Sequence, residues 1–348
     1  MECQYSGKYS PLAIEELGMN LPRATMLLIS YNQEAYIEQA LQGAIEQDYI
    51  NLEIVISDDA STDLTFSKIQ TFLANYNGSH KIIVNRNEQN RGVSGNLNKA
   101  ISLSSGEMFF ITAGDDISFS DRVSKVMDFW IKSNKKIDLI ATYLFDMLEN
   151  GSVHELRQLS DLSLYKSMDD WVKCPPDIVG ASQAWSRSLY DQFGGLPNGV
   201  VGEDLIMTFR AVALNRAATI PLPLVLYRRG GITSKIKAGT AEFIIAALRK
   251  KNKSGIIEMT EILKNALSMD AQEAVIALIK TKLAREYYVK NIFNSEKKIA
   301  IFFSSNEVDF AFRCRCFIYA FCPWVTAPIF FFKRIKYRIV QKKIGFLQ

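Results

Sequence analysis

Short apolar runs alternate with amphipathic segments between residues 26 and 141, and this alternation constrains the fold more than any other feature of the sequence. The runs are residues 26–29, 54–56, 82–84, 108–111 and 137–141, and the last of them includes Asp138. The segments between them repeat apolar residues at spacings of three and four, which is typical of one helix face. Uninterrupted apolar runs are typical of strands buried on both sides of a mainly parallel sheet. We therefore predict an α/β fold with helices on both faces of the sheet.

Polar clusters follow three of these runs at the point where each strand ends. They are Ser30–Glu34, Asp58–Ser61 and Gly114–Asp116. The carboxyl ends of parallel strands lie at the same edge of a sheet, which is where such sheets bind ligands. We therefore expect the three clusters to meet at one rim of the fold and to form its functional site.

Two aspartate pairs in these clusters each allow two interpretations. Asp115 and Asp116 follow a strand and a glycine. They form either a solvated turn or hard oxygen ligands for Mg²⁺ or Mn²⁺, which would bridge nucleotide phosphates. Asp58 and Asp59 either cap a helix or hydrogen-bond a ribose or a base edge.

Glu203 and Asp204 open a predicted helix, where the positive helix end favours carboxylates whatever their function. The sequence contains no P-loop motif, and no Gly-x-Gly-x-x-Gly motif follows its first strand. Its five cysteines and two histidines form no zinc-binding pattern, and we expect the thiols to be reduced. The sequence therefore supports no P-loop nucleotide site, no dinucleotide-binding site and no zinc site.

Six polar clusters stand in one order along the chain, and together they resemble the inverting family-two nucleotide-sugar glycosyltransferases. They are Ile29–Glu34, Val55–Asp63, Asn90–Asn98, Ile111–Asp116, Gly202–Asp204 and Leu226–Arg229. The resemblance covers roughly residues 22–235. It implies the GT-A fold, which is a Rossmann-like, mixed and mainly parallel sheet with flanking helices, here followed by a C-terminal helical extension.

The resemblance implies a nucleotide-binding set at the ends of the first strands. Tyr31 would pack on the uracil ring, and Glu34 belongs to the same cluster. Asp59 would hydrogen-bond the base edge, with Asp58 supporting the turn or the ribose. Arg91 lies where such enzymes often place a basic residue near the nucleotide.

The resemblance also implies a metal site. Asp115 corresponds to the last aspartate of the Asp-x-Asp motif and would bind Mn²⁺ or Mg²⁺, which holds the donor diphosphate and stabilises the leaving group. Ala113 replaces the first aspartate of that motif. The implied site therefore has one carboxylate, aided by Asp116 and water.

On the acceptor side, Asp204 corresponds to the catalytic base that removes the proton of the acceptor hydroxyl. Glu203 would orient the acceptor or the base. Trp185 either stacks on a sugar face or packs in the core. Arg228 and Arg229 either approach the diphosphate or serve surface solubility. The histidine that many relatives carry shortly after these arginines is absent.

The C-terminal residues 296–348 differ in composition from the rest of the chain. They contain ten Lys and Arg against three Asp and Glu, and 13 of the 39 aromatic residues. The uncharged stretch 317–332 contains two prolines and is shorter than the ~20 residues that span a bilayer. Aromatic residues flanked by cations favour a membrane interface, so we predict attachment to one face of a membrane. The alternative is a helical pair packed on the catalytic domain or on a dimer partner.

These observations predict four segments. They are an N-terminal extension (1–21), a GT-A domain (22–235) with nucleotide-binding (22–141) and acceptor-side (142–235) parts, a helical extension (236–295) and a basic aromatic tail (296–348).

The predicted function is inverting hexose transfer in bacterial O-antigen or capsular polysaccharide assembly. The donor would be UDP-glucose, and the β-linked acceptor would be GlcNAc or GalNAc on undecaprenyl diphosphate. Another donor (UDP-galactose, UDP-GlcNAc or a dTDP-sugar), a protein acceptor and a catalytically silent binding module are the alternatives. We expect no secretory signal, no nucleic-acid partner, and a location on the cytoplasmic face of the cell membrane.

Overall fold

The structure, a computed structural model, describes residues 21–230 and 241–322. Within these ranges, nine strands form one sheet. The strands are β1 (Ala24–Ser30), β2 (Leu52–Asp58), β3 (Lys81–Arg86), β4 (Met108–Ala113), β5 (Ile117–Ser118), β6 (Leu139–Met147), β7 (Val153–Arg157), β8 (Gln183–Ser186) and β9 (Ala217–Arg228). They lie in the order β3-β2-β1-β4-β8-β6-β9-β5, and β7 pairs with β6.

Most neighbouring strands of the first half are parallel. β1 lies between β2 and β4 and is parallel to both, and β3 extends the sheet beyond β2 in the same direction. The short β8 is antiparallel to β4 and β6, while β6 and β9 are parallel. The predicted mixed, mainly parallel sheet is therefore confirmed.

The described helices lie on both faces of this sheet and in a C-terminal extension. They are α1 (Ile37–Ile45), α2 (Thr65–Ala74), α3 (Gly92–Ser102), α4 (Arg122–Lys132), α5 (Met168–Lys173), α6 (Arg187–Gln192), α7 (Glu203–Ala213), α8 (Ala241–Ser268), α9 (Glu273–Asn294), α10 (Lys298–Ser304) and α11 (Phe310–Phe321). Two short 3₁₀ turns occur at Leu162–Leu164 and Gly180–Ser182.

The sheet separates two hydrophobic layers because consecutive residues of a strand point to opposite faces. Leu27 of β1 packs with residues of α3, α7 and α8. Its neighbours Met26 and Leu28 pack with residues of α1, α2 and α4. The runs in β1, β2 and β4 are buried on both sides for this reason and lack polar alternation, whereas the edge strand β3 is partly exposed.

Two expectations for the second half differ from the structure. Residues 218–220 and 224–227 look like two strands separated by prolines, but they form the single strand β9. Pro223 lies opposite Tyr143 where the register between β6 and β9 shifts, so the strand passes the prolines as an irregularity of one ladder. The segment 237–294 looks continuously helical, yet α8 ends at Ser268 because Asp270 adopts a left-handed φ of 50°.

The C-terminal helices form a small layer of their own. Cys316 of α11 is buried beside Tyr288 and Ile292 of α9, and α10 packs at the edge of the same cluster. Residues 1–20, 231–240 and 323–348 lie outside the described residues. They include nearly all of the predicted N-terminal extension, the start of the helical extension and about half of the predicted tail. No helix of the described ranges has the length and apolar character needed to cross a membrane.

Candidate active site

The ends of β1, β2 and β4 lie side by side at one edge of the sheet. Ser30 is in register with Asp58, and Ile29 with Ala113. The three polar clusters that follow these strands therefore begin at the same rim, as the pattern of the sequence predicts.

Asp58 stabilises this rim from within. It is fully buried, and its carboxylate accepts hydrogen bonds from the Ser61 N–H (2.9 Å) and the Ser30 hydroxyl (3.3 Å). The guanidinium of Arg86 lies 3.7 Å away and balances its charge. Asp58 thus supports the turn after β2, which is one of its two predicted roles.

Asp59 joins the end of β2 to the start of α3. Its Oδ1 accepts the N–H of Arg91 (2.8 Å) and the amide of Asn87 (2.8 Å), and its Oδ2 accepts the N–H of Gly92 (2.9 Å). A carboxylate has about four lone-pair sites, so one further donor such as a base N–H can be accepted. The buried Asp59 is therefore both a structural acceptor and a candidate base ligand.

The other nucleotide-binding candidates border the same rim. Tyr31 directly follows β1, and 41% of its surface is exposed. The side chain of Arg91 is exposed at the first turn of α3. Glu34 accepts the Leu64 N–H at 2.9 Å and so fixes the start of α2. Tyr31 and Arg91 are thus open to a ligand, whereas Glu34 has a structural contact.

Asp115 and Asp116 differ in their surroundings. Asp116 is buried, and its Oδ1 accepts the Arg228 N–H at 2.8 Å, which fastens the turn after β4 to the end of β9. Asp115 is partly exposed, and burial raises its pKa although Arg228 lies nearby. Asp115 is therefore the better placed of the two for a cation, since a cation would compensate the cost of its ionised form.

Gln33 is a further oxygen donor at this position. Its side chain hydrogen-bonds to Asp115, and its buried Oε1 atom has no hydrogen-bond partner among the described residues. A Cβ at Gly114 would collide with this Oε1 atom. The described residues contain no group of three acidic, histidine or cysteine side chains able to hold a metal. Asp115 and the unpartnered Gln33 oxygen nevertheless fit a hard cation that takes its remaining ligands from phosphate and water.

The two arginines after β9 contact protein groups. Arg228 is buried, donates to the carbonyl of Asp115 (3.0 Å) and to Gln39 Oε1 (2.6 Å), and stacks 4.2 Å from the Tyr36 ring. Arg229 forms an ion pair with Asp146. These contacts give both arginines structural roles, and a contact with the diphosphate stays a prediction.

Glu203 and Asp204 open α7 in an environment short of positive charge. Glu203 is buried, and its Oε2 atom lacks a hydrogen-bond partner in the described part of the chain. Burial raises the pKa of Glu203 well above its usual range, and the charges of Asp204 and Glu258 raise it further. Burial raises the pKa of Asp204 to about 6, although the N–H groups of Leu205 and Gly180 hydrogen-bond to it. A carboxylate that titrates near neutral pH is suited to general-base catalysis.

The 3₁₀ turn at Gly180 brings these two carboxylates to the rim. It leads into β8, whose Ala184 pairs with Phe110 of β4, so the antiparallel β8 begins near the carboxyl end of β4. A Cβ at Gly180 would lie 2.9 Å from Glu203 Oε1 and 3.4 Å from the Cβ of Asp204. The close approach of backbone and carboxylates therefore requires glycine here.

The loop before α7 also contacts the nucleotide-binding helix. Val200 and Ser94 exchange hydrogen bonds, from the Val200 N–H to Ser94 Oγ (3.1 Å) and from the Ser94 N–H to the Val200 carbonyl (3.3 Å). Ser94 lies in the first turn of α3, beside the Gly92 N–H that Asp59 accepts. The candidate base and the candidate nucleotide site are thus neighbours in the fold.

Trp185 does not face the acceptor side. It is fully buried in the core, and its indole N–H donates to Gln183 Oε1 at 2.8 Å. The prediction that it stacks on a sugar is wrong, because residues of β8 are covered on both faces. The alternative of a core aromatic is confirmed.

The architecture is the GT-A fold, and it is similar to that of a solved structure. The crystal structure of S. aureus TarS 1–349 in complex with UDP-GlcNAc superposes with a TM-score of 0.55, 17% identity, and coverage of 88% of this chain and 81% of that one. At this identity, the similarity concerns the fold alone.

Sequence comparison then matches about half of the chain to a family. Residues 25–192 match the model of glycosyl transferase family 2, so this part of the chain is a family-two glycosyltransferase domain. The abequosyltransferase RfbV of Salmonella typhimurium is 35% identical over 124 residues, which are 35% of each chain. The GalNAc(5)-diNAcBac-PP-undecaprenol beta-1,3-glucosyltransferase of Campylobacter jejuni is 31% identical over 107 residues, which are 31% of this chain and 34% of that protein. The chain therefore matches only about a third of the length of these relatives.

Proposed function

We propose that this chain is an inverting glycosyltransferase that moves a sugar from a nucleotide donor to an acceptor hydroxyl. The observation that carries the proposal is the contact of Gly180 with Asp204. The pKa of Asp204 is about 6. The turn at Gly180 lies near the carboxyl end of β4, which leads to Asp115. Asp204 would remove the proton of the acceptor hydroxyl as its oxygen attacks the anomeric carbon. Attack opposite the leaving diphosphate inverts that carbon.

The donor nucleotide would bind at the neighbouring rim. Tyr31 would stack on the base, Asp59 would accept the base N–H, and the exposed Arg91 would approach the phosphates. Since Asp59 also fixes the start of α3, the site is organised before the donor binds.

A divalent cation, Mn²⁺ or Mg²⁺, would be held by Asp115 and the Gln33 oxygen. When bound, such a cation stabilises the negative charge of the diphosphate leaving group. Asp116 would act indirectly, because its carboxylate fixes the turn that presents Asp115. Glu203 would orient the acceptor or Asp204.

For the donor and acceptor, we propose a hexose from UDP-glucose and a β linkage to GlcNAc or GalNAc on undecaprenyl diphosphate. The name of the Campylobacter jejuni relative, a glucosyltransferase acting on an undecaprenol-linked glycan, supports this choice. The reaction would belong to O-antigen or capsular polysaccharide assembly at the cytoplasmic face of the membrane. UDP-galactose, UDP-GlcNAc, a dTDP-sugar or a protein acceptor would be alternative outcomes of a substrate screen.

A lipid-linked acceptor fits an aromatic surface on the last two described helices. The Phe302 ring lies 5.2 Å from Phe303, 5.9 Å from Phe310 and 5.1 Å from Phe317, and Phe321 stacks on Phe317 at 5.2 Å. We name these five rings the aromatic surface.

Two of its members are strongly exposed, Phe303 by 70% and Phe310 by 62%. The exposed cations Lys297 and Arg315 lie on the same helical pair. Exposed aromatic rings with nearby cations are suited to an anionic membrane interface. We therefore assign part of the proposed membrane contact to α10 and α11, the described helices of the tail, which pack on α9 with their other faces.

The metal-dependent part of this function is tested with the Asp115→Ala variant. We expect Mn²⁺-dependent binding of UDP-glucose, measured by calorimetry, to weaken at least about tenfold, and transfer to be abolished. Asp121→Asn is the matched control, because Asp121 lies six residues after Asp115 and forms an exposed ion pair with Lys125. Transfer that survives in Asp115→Ala, or that EDTA does not affect, would contradict the metal role.

A further inference from the structure

We propose that Glu258 of the helical extension is a positioning residue for Asp204, so that the extension completes the active site. The inference rests on the proposed function, in which Asp204 is the base. Glu258 Oε1 accepts the N–H of Gly202 at 2.9 Å and that of Val201 at 3.3 Å. These are the two residues directly before Glu203, so Glu258 fixes the segment from which α7 and both of its carboxylates start.

A second residue of α8 supports the same segment. Ser254, one helical turn before Glu258, accepts the Val201 N–H at 2.9 Å and donates its own hydroxyl to Glu258. A Cβ at Gly202 would lie 3.2 Å from the Glu258 carboxylate. The carboxylate of Glu258 thus lies so close to the Gly202 backbone that the position of this segment should depend on the size and charge of residue 258.

The extension also brings a further acid, Glu286, close enough to Glu258 for their charges to interact. Asn252 of α8 donates to the carbonyl (2.7 Å) and the carboxylate (2.6 Å) of Glu286 on α9. Burial raises the pKa of Glu286, and the charge of Glu258 raises it further. The charged groups that act on this acidic cluster in the described chain are Glu203, Asp204, Glu258, Glu286 and Lys251.

Glu258 therefore has two separable effects on Asp204. Its oxygen fixes the backbone before α7, and its negative charge raises the pKa of Asp204. A base must be ionised to accept a proton, so a lower pKa of Asp204 would extend activity to lower pH. The two effects can be separated by substitutions that keep either the charge or the length of the side chain.

Glu258→Gln keeps an oxygen for the Gly202 N–H but removes the charge. We expect the acidic limb of the kcat/KM profile to move about 0.5–1 pH unit lower, as loss of a nearby like charge requires. Glu258→Asp keeps the charge but is too short to reach the segment. We expect it to lower kcat while the acidic limb stays in place. Glu273→Gln is the control for charge, because Glu273 is exposed at the opposite end of α9 from Glu286, about 20 Å along the helix.

A second measurement does not depend on turnover. Carbon-13 carboxyl NMR of the full chain gives the Asp204 titration, assigned with the Asp204→Asn variant. We expect the Asp204 pKa to fall in Glu258→Gln and to stay unchanged in Glu273→Gln. An unchanged pKa in Glu258→Gln overturns the inference whether or not transfer is observed. Absence of transfer in the wild type, with the Asp204 shift present, contradicts only the proposed function.

Discussion

Replacing Asp204 by asparagine should lower turnover and at the same time increase the stability of the fold. Asparagine preserves the size of the side chain and one oxygen for the Leu205 N–H, which Asp204 Oδ1 accepts at 2.8 Å. It cannot take a proton from the acceptor, so we expect turnover to fall about 10²–10⁴-fold with donor binding retained. It also removes one negative charge from a site where Glu203, Asp204 and Glu258 repel one another.

The gain in stability follows from the raised pKa. In the folded chain the pKa of Asp204 is about 6, against 3.8 for an ordinary aspartate. Each pKa unit corresponds to about 1.4 kcal/mol. Because the shift belongs partly to the neighbouring acids, we expect Asp204→Asn to raise the free energy of unfolding by about 1–3 kcal/mol. The raised pKa means that the ionised form destabilises the fold above pH 6. This cost decreases as the pH falls below about 6, and it disappears below about 3.8, where the carboxyl is protonated in both the folded and the unfolded state.

The assay is urea unfolding of both proteins at pH 8 and at pH 4.5. We expect Asp204→Asn to unfold at higher urea concentration than the wild type at pH 8, and the difference to shrink at pH 4.5. A variant that is less stable than the wild type at pH 8, or a difference in stability that does not depend on pH, would refute the claim that burial disfavours the ionised form of Asp204.

Three further variants, one of them a double substitution, test individual contacts. Arg228→Lys should lower the free energy of unfolding by about 2–4 kcal/mol, measured by urea titration, since lysine cannot replace the several hydrogen bonds of a buried guanidinium; unchanged stability would favour a ligand contact. Gly180→Ala should lower kcat about tenfold or more with donor binding kept, because its Cβ would displace the carboxylates of α7; normal kcat would argue against their role. Phe303→Ser with Phe310→Ser should reduce flotation with anionic vesicles at least about tenfold, whereas Ile50→Ser, equally exposed on the body, should not; equal flotation of all three proteins would exclude the aromatic surface.

The sheet and its rim could be predicted from the sequence because both depend on local patterns. The apolar runs define buried strands, and parallel pairing then places the residues after Ser30, Asp58 and Ala113 at one edge. The second half was harder to predict. Trp185 belongs to the four-residue β8, which is too short to show a periodicity and is identified only by its pairing with β4 and β6.

The parts of the site that the sequence did not predict depend on contacts between distant segments. Gln33 lies within a cluster that the sequence singles out, but its unpartnered oxygen beside Asp115 is visible only in the folded chain. Glu258 lies in a long helix whose pattern is that of an ordinary solvated face. Its contact with Gly202 joins residues 56 positions apart, and no local signal marks it.

The measurement that tests the central claim most directly is acceptor-dependent release of nucleotide from a panel of sugar nucleotides. The full chain is incubated with Mn²⁺ and GlcNAc- or GalNAc-diphospho-undecaprenol, and the anomeric configuration of the product is read by NMR. We predict UDP release from UDP-glucose that requires the acceptor, loss of this release in Asp204→Asn, and a β-linked product. Binding of a sugar nucleotide without release from any donor would contradict the account and indicate a silent binding module, and an α-linked product would contradict inversion.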